Sequence, residues 1–131
     1  MNTDGARRGV MGVLILGMAG CASAPVERAA QPLPGGRQAV TIGMVRFTFE
    51  PEVVTLRAGV PVTITATSSS RIPHNITVLS LDGRPLKSVD IPAEGTETFE
   101  VTLPTPGRYV FYCDKLLHRW PFRMEGVLVA Q

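Results

Sequence analysis

At 131 residues, 44% of them hydrophobic and 18% charged, the chain has room for one domain and little else. Its formal charge of +2 comes from scattered lysines and arginines that never alternate with aromatics, so no nucleic-acid partner is expected.

The first residues read as an export signal, residues 1–21. Arg7 and Arg8 form a basic start, and residues 9–20 (GVMGVLILGMAG) form an apolar stretch of secretory length, shorter than the roughly 20 residues of a membrane span. Met18-Ala19-Gly20-Cys21 resembles the bacterial lipobox, with Met18 where leucine is usual. By that likeness Cys21 carries lipid and anchors the exported protein, periplasmic or otherwise extracytoplasmic, to a bacterial membrane. A cut after Ala24 would set Pro25 beside it, where the fixed φ and missing N–H fit a protease poorly. The alternative is that Cys21 is a bystander in a discarded signal. Residues 22–38, rich in alanine, proline and glycine, are expected to be a flexible tether spanning roughly 20 to 25 Å, which leaves the domain's orientation free. Cys113 is then the single thiol of the exported domain, residues 39–131. Such a thiol in an oxidising compartment is buried, reactive or metal-bound.

From residue 39 the pattern is that of strands. Val40, Ile42 and Met44 share one parity and Val45, Phe47 and Phe49 the other, which predicts one long strand with a bulge near residues 43–45. Residues 53–59 and 60–68 follow, rich in β-branched side chains and divided by Ala58-Gly59. HNITVLSL (74–81) stops at the turn pair Asp82-Gly83, and LKSVDIP, TETFEVTL (96–103), GRYVFYC (107–113) and EGVLVA (125–130) complete the series. Seven or eight short strands without a helical stripe predict an all-β Greek-key sandwich, with a small barrel as the alternative.

Chemistry gathers at strand ends. A period of two puts Tyr109, Phe111 and Cys113 on one face, with the thiol at the end of its strand. The loop that follows carries His118 and leads to Met124, and His74 opens another strand with Ile76 and Val78 on its parity. Singly, each has a plain structural reading: a small core cysteine, a loop histidine, a surface histidine, a core methionine. Jointly, two imidazoles, a thiolate and a thioether suit a soft metal, and a His2Cys set with a long axial Met is that of an electron-transfer copper site. No carboxylate belongs to the set, which argues against calcium or magnesium.

With Pro73-His74-Asn75, Gly107 to Cys113, His118 and Met124-Glu125-Gly126 in this order, the domain resembles the cupredoxins, the type 1 or blue copper family. The resemblance implies one copper ion held by His74, Cys113 and His118 as equatorial ligands and Met124 as the axial one. It also implies that Asn75 ties the ligand-bearing segments together. The chain departs from the family's pattern where RWPFR separates His118 from Met124, with Arg123 in place of a frequent glycine. Trp120 and Phe122 form an apolar wedge beside His118, either packed under the loop or serving as the rim where a protein redox partner docks.

The function implied is single-electron transfer between extracytoplasmic partners by a monomer, and not an enzyme. The rival readings are a carrier or buffer that delivers or stores copper, which a methionine-rich surface would favour, and a metal-free interaction module of the same fold, which would lack a Cys or His.

Overall fold

A computed structural model of the chain describes Gly20 and residues 22–131. Apart from Gly20, the expected signal peptide, with Cys21, lies outside the described residues. The described residues form eleven strands: β1 Glu27–Ala29, β2 Gln31–Pro32, β3 Gln38–Val45, β4 Thr48–Glu50, β5 Val53–Leu56, β6 Val62–Ser68, β7 His74–Leu79, β8 Pro85–Ile91, β9 Thr96–Val101, β10 Gly107–Tyr112 and β11 Glu125–Ala130. One sheet runs β1-β5-β11-β10-β7-β8, and the other β2-β3-β6-β9 with β4 also paired to β3. No α-helix occurs among the described residues.

The two sheets bury one apolar layer, and the period of two decides which side chains fill it. β3 turns Val40, Ile42 and Met44 inward, and β6 turns in Val62, Ile64 and Ala66. From the opposite sheet come Val54, Ile76, Val78, Tyr109, Phe111 and Leu128. At the foot of β10 the Tyr109 hydroxyl donates to the Thr105 carbonyl at 2.8 Å, which pins the Pro104–Gly107 turn that launches the strand.

Two expectations need correction. The long bulged strand is a hairpin: β3 and β4 are antiparallel, with Met44 opposite Phe49 and Val45 opposite Thr48. Arg46 makes the reversal in a left-handed conformation, φ 55°. Cross-strand partners point to the same face, so Met44 and Phe49 are both buried although their parities differ. The reversal accounts for the change of face without a bulge.

The second correction concerns the tether, since residues 27–38 are not free coil. β1 pairs in parallel with β5, Glu27 opposite Val53, and β2 pairs with β3, Pro32 opposite Gln38. Their side chains are exposed, so no apolar period announces them. What recruits them is the backbone of two sheet edges, whose unpaired N–H and C=O groups they satisfy. Gln38 is itself buried, its amide donating to the carbonyls of Arg57 (2.9 Å) and Val60 (3.1 Å) and accepting from the Arg57 N–H (2.9 Å).

Candidate metal centre

Three strand ends meet at one pole of the sandwich. β10 runs up to Tyr112 and delivers Cys113, β7 starts there at His74, and β11 leaves from Glu125. Pairing of Tyr112 with both Thr77 and Glu125 holds these ends side by side.

Close packing beneath the pole depends on Gly126, which lies opposite Phe111 across the β10–β11 pair. A Cβ there would stand 2.4 Å from the Phe111 ring and 2.6 Å from the Glu52 carbonyl oxygen. Only glycine leaves room for this ring beside the site.

The loop from Cys113 to Met124 is closed by its own backbone. The Cys113 N–H donates to the Met124 carbonyl (3.1 Å), the Met124 N–H to the His118 carbonyl (2.9 Å), and the His118 N–H to the Lys115 carbonyl (3.0 Å). Left-handed residues at Leu117 and Arg123 make the turns between these bonds. His118 is thereby folded back over the thiol. The Met124 side chain is fully buried in the same core cluster.

The donor atoms converge. His118 Nδ1 lies 3.2 Å from Cys113 Sγ and His74 Nδ1 lies 3.9 Å from it. The ligand atoms of all three residues fall within 4.8 Å of one another, and the two imidazole rings are tilted at 49°. His74 and Cys113 are closed to solvent, whereas His118 keeps 7% of its surface exposed. His74 Nε2 is buried without a hydrogen-bond partner, so packing and whatever its Nδ1 meets orient this ring.

Electrostatics agree with ligand chemistry. Burial, with His118 beside it, lowers the His74 imidazole from its ordinary 6.5 to about 4. His118 is lowered too, by burial and by the charge of Lys115. Both rings are therefore held neutral, the form that donates a lone pair to a metal. Burial pushes the Cys113 thiol up, against backbone N–H groups of Asn75 and Lys115 that favour the thiolate. A soft cation that replaced the thiol proton would match this pocket of one sulfur and two nitrogens with no carboxylate among the donors.

Asn75 ties the two segments together from below. Its N–H points at Cys113 Sγ (3.4 Å), its side-chain oxygen accepts from the Asp114 N–H (2.7 Å), and its amide nitrogen donates to Thr77 Oγ1 (3.2 Å). Thr77 and Ser88 share a 2.8 Å hydroxyl contact, and the Thr77 hydroxyl donates to Asp114 (3.3 Å).

On the loop side the sequence reading overlooks Phe47. Its ring stands edge-on to His118 at 5.0 Å and is stacked on Phe122 at 4.0 Å with only 8° between planes. An aromatic at the tip of a two-residue hairpin is the signal that could have found it, but a continuous strand hides that tip. Trp120 is 77% exposed and Phe122 48%, so the tryptophan is not packed beneath the loop. The Arg119 guanidinium lies 4.0 Å over the Tyr112 ring and 3.7 Å from Glu125.

A buried His–Cys–His pocket at the pole of such a sandwich defines a mononuclear copper protein. The family described as "Cupredoxin-like domain" matches residues 11–130, and the chain belongs to it. It is 37% identical to a chloroplastic plastocyanin of Oryza sativa subsp. indica over 113 residues, 76% of this chain and 70% of that protein. Its fold is similar to auracyanin A, a blue copper protein of Chloroflexus aurantiacus, with TM-score 0.65 and 20% identity over 73% of this chain and all of the other. It is also similar in fold to the metal-binding domain of the Cu(I)-exporting P-type ATPase of Streptococcus pneumoniae D39, with TM-score 0.62 and 17% identity over 83% and 99% of the two chains. At these identities the last two likenesses are of fold. Family and donor set together make His74, Cys113 and His118 the place of one copper ion.

Proposed function

We propose that this protein is a type 1 copper electron carrier of an extracytoplasmic space, anchored to its membrane through lipid on Cys21, that exchanges single electrons with protein partners and catalyses no reaction of its own. The observation that carries the reading is the convergence of one buried thiol and two neutral imidazoles within 4.8 Å. Bound copper supplies the one-electron couple, and the protein's task is to keep the same surroundings in both oxidation states.

Each residue has a part in that task. Cys113 and His74 sit on β-strand ends that cannot move without breaking the ladder between β7, β10 and β11. Asn75, bonded to the Asp114 N–H, couples the His74 segment to the Cys113 segment, so that the sulfur and the nitrogen move as one body. Met124 is the proposed axial ligand; its backbone is bonded to both Cys113 and His118, which supports the role despite the bulky spacer. His118, the one member of the group with an edge to solvent, is the proposed point of electron entry and exit. Trp120 and Phe122 form the apolar rim on which the partner is received.

Copper buffering would draw on methionines at the surface. Met44 and Met124, the methionines of the described residues, are both fully buried, which favours electron transfer.

The test is a visible spectrum of the purified protein titrated with Cu(II). An intense thiolate-to-copper band at one equivalent, abolished in Cys113→Ala, is expected. A colourless protein whose Cys113 stays reactive to thiol reagents would overturn the reading.

A further inference from the structure

Strand direction says where the chain enters the domain. β11 leaves the copper pole and descends; β5 runs parallel to it, Val53 beside Val127, and β1 runs parallel to β5, Glu27 beside Val53. The chain therefore enters β1 from the copper pole. Its last fixed point is Val26, whose carbonyl accepts the N–H groups of Glu52 (2.9 Å) and Val53 (3.1 Å). The Glu52 carbonyl in turn takes the Val127 N–H at 2.8 Å, so Val26 lies level with the top of β11.

Five residue steps separate Cys21 from Val26, and Ala22 to Pro25 are exposed. Such a leash reaches at most about 17 Å fully extended and on the order of 12 Å as a coil. From Val26 to the opposite pole the rest of β11 alone measures about 14 Å, before the turns beyond it are counted. A coil of five residues does not bring that opposite pole to the anchoring surface. It brings the copper pole there with slack.

The surface at the copper pole fits this placement. Leu116 (87% exposed), Leu117 (54%), Trp120 and Phe122 are exposed on the loop that carries His118. Around them Lys115 is paired with Asp90 and Arg119 with Glu125, Asp114 is exposed, and Arg46 and Arg123 have no ion pair among the described residues. An apolar centre with free arginines at its margin suits a partner surface that is apolar in the middle and carries carboxylates at its rim.

We propose that the N-terminal arm mounts the domain with its His118 pole turned toward the anchoring membrane, so that the partner received on this face is a redox protein embedded in that same membrane. The proposal rests on the Cys21 anchor put forward above and replaces a freely swinging domain with an oriented one.

Trp120 is the chain's single tryptophan and reports on this face directly. The lipidated, metal-free protein is placed on phosphatidylcholine vesicles carrying dansyl-labelled headgroups, beside a variant with about twenty Gly/Ser residues inserted between Ala24 and Pro25. Energy transfer from Trp120 to the headgroups is expected to be about threefold greater in the native protein than in the extended one. In the copper-loaded pair, reduction by a soluble cytochrome c is expected to be about fivefold slower for the native leash, since bulk proteins are kept from the face. Vesicle-bound protein showing equal transfer and equal rates in both forms overturns the orientation and leaves the anchor standing. Protein that carries no lipid and stays off the vesicles overturns the anchor and the orientation with it. Contact quenching of Trp120 by brominated acyl chains would make the bilayer itself the occupant and overturn the protein partner.

Discussion

The two halves of the copper site are built differently. His74, Asn75 and Cys113 stand at strand ends, closed to solvent and tied by the Asn75–Asp114 bond to neighbouring β-structure. His118, Trp120 and Phe122 sit on a turn-rich loop, held by its own backbone bonds and by the Phe47–Phe122 stack, with Trp120 largely in water and Phe122 half-exposed. The sheet half supplies rigidity, so that little rearrangement accompanies a change of charge. The loop half supplies access, which a fully buried site would lack. Variants on the sheet side should therefore disturb stability and metal retention, and variants on the loop side should disturb exchange with partners.

The largest effect is expected at Gly126. In Gly126→Ala the new methyl meets the buried Phe111 ring and a backbone oxygen, neither free to retreat, so denaturant unfolding should show a loss of about 3 kcal/mol. Stability close to the native value would mean that the pole is softer than its packing implies.

Acid tests the buried imidazole of the sheet half. Above pH 6.5 His74 is neutral in folded and unfolded chains alike; below it the unfolded chain takes up a proton that the fold refuses until about pH 4. Metal-free protein should therefore lose stability as pH falls from 6.5 toward 4, by up to about 3 kcal/mol. His74→Gln should flatten that slope in urea titrations at stepped pH, and an unchanged slope would assign it to other groups.

Asn75→Ala comes next. It strands the Asp114 N–H and uncouples the two ligand segments, at a cost of about 2 kcal/mol. Copper loss to a chelator should quicken by about tenfold or more. If retention is native while stability falls, Asn75 is a structural bond only.

Phe122→Ala should have the smallest thermodynamic effect, about 1 kcal/mol from the lost stack on Phe47. Its signature is a changed second-order electron-exchange rate with the natural partner at an unaltered copper spectrum. A native rate would remove the aromatic rim from the docking surface.

The sequence by itself determined the strand set from residue 53 onward and the three donor residues of the site. Both follow from local rules: alternation assigns faces, and Cys113, His118 and His74 announce themselves by donor chemistry and by position at strand ends. Tertiary structure alone decided the rest. Phe47 becomes a neighbour of His118 only because β3 reverses at Arg46, and parity along a chain does not distinguish a bulge from a tight reversal. β1 and β2 exist only because two sheet edges offer them backbone partners, and exposed Glu27–Ala29 and Gln31–Pro32 carry no apolar period to foretell it. Edge pairing is a property of the assembled sheets, and here it turns an expected loose tether into an arm that enters at the copper pole.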